Sequence, residues 1–312
     1  MIPAPPAQIQ TAPAPRELAF EGFNGLALAG TVLPARGGHW FAVMVADSGP
    51  LDRDWSGPRL ASHGGRALAL WLQDQGVASL RYDKRIAFSR DPKLDASLDA
   101  QAGDIRAAIR AARALPEARD RRILLVGHGE GALLALLAAQ DADALLLLAP
   151  PSQTMAMAIE EPVAAQLPPE KEIANLAHLH AVFQAIRERK PGPVPGPDVY
   201  PALARLGVSL MAPETLAFVR ATLDLDPWAM ASRFPGPVAV AWGDKDMQTW
   251  KPAHIPASFQ GDVLEVPMAN HLFKREPRLR GEMDLAKAVE GYGDDRPLAD
   301  LTPLAAWISG LK

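Results

Sequence analysis

The chain has 312 residues, no cysteine, 48% apolar residues, and a net charge of −4 from 32 basic and 36 acidic side chains. That apolar content can bury a sizeable core in one large or two small domains. The lack of cysteine excludes disulfides, thiolate metal ligands, iron–sulfur clusters and a cysteine nucleophile, and the balanced charge, without a basic block, argues against a nucleic-acid surface or a polybasic membrane contact.

Residues 1–16 are rich in proline and alanine and lack both a basic start and a continuous apolar stretch, so they read as a flexible tail rather than a signal peptide. The longest apolar runs, at 132–139 and 144–151, fall far short of the roughly 20 residues that cross a bilayer, and a cytoplasmic location is expected. Residues 18–20 and 26–33 read as short strands joined through Asn24-Gly25, a pair that tolerates positive φ in a tight turn. From Trp40 the pattern becomes apolar strand followed by amphipathic helix. Strands are expected at 41–46, 77–82, 123–126 and 144–148, and helices from about Ser62, from about Ser97 and from Glu130. On the second helix Leu98, Ala102, Ile105, Ile109 and Ala112 recur at three- and four-residue spacing and share a face. Such alternation, with strands apolar on both sides, predicts an α/β protein with a mostly parallel sheet wrapped by helices.

The alternation stops at about residue 152. Residues 152–234 are helix-rich and interrupted at 190–201 by five prolines, a stretch that cannot supply a central strand and should lie outside the sheet as a cap or lid. Two further strands, 238–242 and 263–266, and a closing helix at 298–311 complete the chain. The expected organisation is a tail at 1–16, a core from 17–151 and 235–312, and a helical cap at 152–234.

The segment 123–132 reads Ile-Leu-Leu-Val-Gly-His-Gly-Glu-Gly-Ala. It predicts a strand running through a sharp bend into a helix, with Gly127 and Gly131 allowing the two to approach closely and Gly129 at the strained centre. In a G-x-S-x-G turn the centre carries a nucleophilic serine. Gly127, Gly129 and Ala132 also fit a G-x-G-x-x-A dinucleotide fingerprint. That fingerprint belongs in the first strand–helix unit and wants an acidic residue after the next strand, whereas here the unit is the third and the next strand ends in Ala149-Pro150-Pro151. His178 and His180, two apart on an expected helix, point away from each other and do not suggest a metal site.

Five ordered motifs between about residues 40 and 275 resemble the serine peptidase and esterase branch of the α/β hydrolases. Its Gly-Ser-Gly-Pro-x-Asp-Arg-Asp stretch is matched by Ser48-Gly49-Pro50-Leu51-Asp52-Arg53-Asp54, with Asp47 in place of the leading glycine. Its Arg-Tyr-Asp-Lys-Arg-Gly is matched by Arg81 to Arg85 and then lost at Ile86, and its Gly-His-Ser-Glu-Gly elbow is matched by 127–131 with Gly129 for the serine. Near the C-terminus, Gly243-Asp244-Lys245-Asp246-Met247-Gln248 and Asn270-His271-Leu272-Phe273 resemble the acid-bearing and histidine-bearing segments.

The resemblance implies an α/β-hydrolase fold with a nucleophile, acid, histidine order, here Gly129, Asp246 and His271, with Asp244 as the competing acid. It implies an oxyanion hole from the backbone N–H groups of Ser48 and Glu130. Asp47, Gly49, Met155 and Met211 are the expected substrate contacts, although Met155, Met157, Met211 and Met230 would serve equally as cap core. His128 is expected to pack behind the elbow. No cofactor and no metal are implied, the expected substrate is a small-molecule ester or amide, and the oligomeric state is left open. Gly129 allows three readings: a serine hydrolase disabled by substitution, a natively serine-less protein using His271 and Asp246 as a general base, or a non-catalytic binder, which would have no need of an acid, a histidine and a hole together.

Overall fold

The structure, a computed structural model, describes residues 13–89, 91, 93–293 and 295–311. Most of the expected tail, residues 1–12, lies outside the described residues. Its expected end is one residue too late, because Arg16 already pairs with Val32.

The first two strands, β1 (Arg16–Glu21) and β2 (Ala27–Leu33), run antiparallel. Asn24 and Gly25 between them both take positive φ, 56° and 76°, the conformation for which that dipeptide is suited. The remaining strands are β3 (Trp40–Val45), β4 (Ala78–Tyr82), β5 (Arg122–His128), β6 (Ala144–Leu148), β7 (Val238–Gly243) and β8 (Asp262–Val266). They form one eight-stranded sheet in the order β1-β2-β4-β3-β5-β6-β7-β8, parallel from β4 through β8. Strands β3, β4, β6 and β7 are buried at every residue and β5 at all but Arg122, which is why their sequences are continuous apolar runs rather than alternating ones.

Helices α1 (Gly64–Asp74), α2 (Leu98–Arg113) and α3 (Glu130–Leu137) cross between strands. On α2 the Ser97 side chain caps the first turn by accepting from the Ala100 amide, and Leu98, Ala102, Ile105, Ile109 and Ala112 are buried as one face. Each fully buried isoleucine there contributes about 1.5–3 kcal/mol of burial free energy. This face joins α3 and alternate residues of the sheet, including Phe41, Val43 and Leu125, in one core. The other face of the sheet, with Ala42, Met44, Leu124 and Val126, packs on α1.

Between β6 and β7 lie five helices: α4 (Met155–Gln166), α5 (Pro169–Glu188), α6 (Pro201–Leu210), α7 (Pro213–Thr222) and α8 (Pro227–Ser232). Each of the last four opens on a proline, whose missing N–H costs nothing in the first turn. The proline-rich stretch between α5 and α6 forms no helix or strand. Helices α4 to α7 share a small core of their own around Leu179, Phe183, Ile186 and Val219. After β8 come α9 (Leu285–Glu290) and α10 (Thr302–Gly310), the latter packing on the α1 face with Leu304, Trp307 and Ile308. Among the described residues no single helix is long and apolar enough to cross a membrane.

Candidate active site

The bend after β5 has the expected geometry. Gly129 sits at φ 55°, ψ −124°, between the end of the strand and the first residue of α3. A Cβ at Gly127 would run into the backbone of Gly131 and Ala132, and one at Gly131 into the carbonyls of Val45 and Ala46, so the outer glycines allow strand and helix to touch. At Gly129 a Cβ would fall on the carboxylate of Asp47. The space above the bend is occupied, by a side chain from another loop.

Asp47 follows β3 at the carboxyl edge of the sheet. Its Oδ1 accepts hydrogen bonds from the Ser48 amide at 2.6 Å and the Glu130 amide at 2.7 Å. These are the two N–H groups expected from the sequence to form an oxyanion hole, and they converge on a single oxygen. The other oxygen, Oδ2, lies 3.0 Å from His271 Nε2. On the far side of the ring, His271 Nδ1 lies 2.8 Å from Asp246 Oδ2. Asp246 is fully buried and held in place by the amides of Gln248 and Thr249 on Oδ1 and the Thr249 hydroxyl on Oδ2. The imidazole therefore bridges two carboxylates, both ring nitrogens donating.

Electrostatics follow from that bridge. Burial disfavours a charged His271, but hydrogen bonds to Asp246 and Asp47 and their negative charges outweigh it and raise its pKa to about 9. Burial opposes the charge on Asp47 as well, yet the hydrogen bond and charge of His271 and the Glu130 amide hold its carboxyl well below the ordinary range. Asp246 is likewise lowered, burial being outweighed chiefly by its bond to His271. His128 behaves oppositely. Burial and the neighbouring charge of His271 push it down to about 4, and as a neutral ring it stacks on Trp55 and donates through Nε2 to the His271 carbonyl at 2.8 Å. His128 thus fixes the backbone that carries the His271 imidazole.

The remaining motif residues hold the loops. Lys84 donates to the Asp47 carbonyl at 2.7 Å and pairs with Glu130 at 3.3 Å, tying the end of β4 to both amide donors. Arg53 forks onto Asp83, and Arg81 pairs with Asp54, so the Asp-Arg-Asp and Arg-Tyr-Asp-Lys-Arg motifs are two halves of one interlock. Buried Lys274 donates to the carbonyls of Ser62, Tyr292 and Gly293, pinning the loop after His271 to the start of α1. Lys84 belongs to the Arg-Tyr-Asp-Lys-Arg motif, whereas Thr249 and Lys274 carry no signature at the sequence level beyond their neighbours. Asp47 does carry one, since it and Gly129 are departures from the same pattern at positions that meet in space.

A cavity of about 330 Å³ opens onto this cluster. Its floor is Asp47, Ser48, Gly129, Glu130 and His271, and α4 and α7 supply an apolar wall that includes Met155, Ala158 and Phe218. Of the expected substrate contacts, Asp47 and Met155 line it. Met211 does not: it lines a separate cavity with His178 and Val182 and packs against the core that α4 to α7 share. Gly49, at φ 85°, is not among the lining residues either. Met230 packs on the sheet core and Met157 is half exposed. Asp244, the competing acid, pairs with Lys245 instead of His271. His180 pairs with Glu160. Asp47, His128 and His271 place ligand-type atoms within 4.8 Å of one another, but the His271 and His128 Nε2 atoms are engaged with Asp47 and a carbonyl, which suits an ion pair better than a metal.

No family model and no curated protein matches this chain. Solved structures do. An α/β hydrolase, GrgF, from Penicillium sp. sh18 superposes with TM-score 0.51 at 17% identity over 83% of this chain and 91% of that one. DcsB in complex with its substrate analogue gives 0.51 at 17% identity over 83% and 92%. A hypothetical protein from Pseudomonas aeruginosa gives 0.50 at 15% identity over 91% and 94%. With the sheet order and flanking helices above, these define the class: the chain has the α/β-hydrolase fold.

Proposed function

We propose that this chain is a hydrolase of carboxylic esters, with amides as the second substrate class, whose acid–base chemistry is run by His271 and Asp246 without a serine at the elbow. One observation carries the reading: an imidazole oriented by a buried carboxylate at 2.8 Å projects its other nitrogen over the bend, next to the point where the Ser48 and Glu130 amides converge. That combination brings a proton carrier and two amide donors, here bonded to the Asp47 carboxylate, into one apolar cavity, and ester cleavage draws on both. The five motifs support descent from the serine esterase and peptidase branch, and the helices between β6 and β7 serve as the cap that supplies the apolar wall. In this conformation the Asp47 carboxylate fills the space a serine side chain at 129 would take, which supports chemistry run without that hydroxyl in the chain as it stands.

The test is hydrolysis of short-chain p-nitrophenyl esters. His271→Ala is expected to lose about 100-fold or more in kcat/KM, the usual worth of a positioned acid–base group. An inert parent chain, or a variant as active as its parent, would sink the reading.

A further inference from the structure

We propose that Asp47 is the nucleophile of this site, forming a covalent acyl-enzyme through its Oδ2, so that the reaction is a double displacement on a side chain of the β3 loop rather than of the elbow. The inference rests on the ester-hydrolase reading above and adds the atom that attacks.

Geometry carries it. A carboxylate that merely plugged the hole would need only its oxygen on the two amides. Here the second oxygen is held toward the cavity beside His271, 3.0 Å from Nε2, with the carbonyl of the same residue anchored by Lys84. Ionised, with Oδ1 on the two amides and Oδ2 bonded only to His271 at the cavity floor, Asp47 has the disposition of a carboxylate nucleophile with its proton donor beside it. Gly129 is then the residue that makes room for it.

The steps balance. In the first, Oδ2 attacks the carbonyl carbon of a bound ester, the bond from that carbon to the alcohol oxygen breaks, and the departing oxygen takes the proton from His271 Nε2. The alcohol leaves, His271 becomes neutral, and Asp47 is acylated as a mixed anhydride. In the second step neutral His271 removes a proton from water, whose oxygen attacks Cγ of Asp47. The developing charge falls on Oδ1, already between the Ser48 and Glu130 amides, so the donors act without rearrangement. The bond from Cγ to the bridging oxygen breaks, the substrate acid departs carrying the original Oδ2, and the new Asp47 carboxyl loses its proton to solvent. The groups facing His271 set the alternation: Asp47 from the β3 loop loses its charge on acylation, Asp246 keeps its own, and His128 and the Tyr292 ring are neutral neighbours. An imidazole flanked by two carboxylates starts as an acid and, once one is acylated, serves as a base. A poor leaving group would stall the first step, which lacks the amide donors, so the expected substrates are activated esters.

The experiment is a single turnover of p-nitrophenyl butyrate in ¹⁸O-water with the intact chain in excess, read by mass spectrometry of the Asp47 peptide and of the butyrate. The expected result is one ¹⁸O in Asp47 and unlabelled butyrate. Label in butyrate with none in Asp47 would overturn the double displacement through Cγ proposed here while leaving an ester hydrolase standing, and failure to hydrolyse the ester at all would overturn both readings. Asp47→Ala gives a second contrast: as nucleophile its loss costs at least about 100-fold, whereas a rate unchanged or raised by unplugging the hole would identify Asp47 as an obstruction and overturn the proposal.

Discussion

The carboxyl edge of the sheet and the helical insertion above it are built by different physics. At the edge, charged side chains are buried and multiply bonded: Arg85 and Asp104 are each 2% exposed and doubly bonded, and Lys84, Asp246, His271 and Lys274 are all buried. Removing one partner of such a pair costs about 3–5 kcal/mol because the other is left as an uncompensated buried charge. The insertion holds together by a small apolar core, and its ion pairs, such as Arg187 with Asp224 and Lys171 with Asp198, sit in solvent and contribute little. The difference teaches where chemistry and specificity are stored. The edge tolerates few substitutions and fixes the atoms proposed to react, while the insertion offers a wall that can be reshaped at little cost.

The largest expected effect breaks the edge at its coupled pair. Gly129→Ser alone places its side chain on the Asp47 carboxylate and should resist labelling by a serine-directed fluorophosphonate. The double variant Gly129→Ser, Asp47→Gly, which restores both departures from the family pattern, should label stoichiometrically, because the hole is vacated and His271 loses the carboxylate that keeps it protonated. Equal labelling of the single variant would show the two positions to be independent. A smaller effect is expected in the insertion. Phe218, which lines the cavity from α7 and is 42% exposed, should on substitution by alanine raise KM for a butyryl ester by about tenfold with kcat nearly unchanged, the usual worth of part of an apolar pocket. A fall in kcat of the same size would place Phe218 in the edge's machinery rather than the wall.

Much of the edge is legible in the amino-acid sequence. The bend at 127–131 follows from glycine spacing, while the order of Gly129, Asp246 and His271 and the Ser48 and Glu130 amides follow from the motif resemblance, which sets them at strand ends along one edge of a parallel sheet. Strand bodies are legible because doubly buried strands are continuously apolar. Their ends are less so: β5 runs two residues further than its apolar run, through Gly127 and His128, and the closing helix begins at Thr302 rather than near residue 298, since a loop can be as apolar as a helix where it covers a core. What the sequence conceals is the occupant of the hole. Asp47 stands out as a departure from the motif pattern and an expected substrate contact, but nothing in the sequence says that its carboxylate meets residue 129, 82 positions away. The expectation for Met211 fails for the related reason that helix periodicity says which face is apolar and not what that face meets.

The central claim is that the resting site is an ion pair, with Asp47 ionised and His271 protonated between two carboxylates. Because the folded pKa of His271 is raised, the pairing stabilises the fold fully below the ordinary histidine value of 6.5 and is lost as pH climbs through about 9. Ester hydrolysis that begins with protonated His271 must follow the same curve, so kcat/KM for p-nitrophenyl butyrate is expected to hold level at neutral pH and fall with a midpoint near 9. A rate that instead rises through that midpoint would mean that the free imidazole starts the reaction, and would contradict the account.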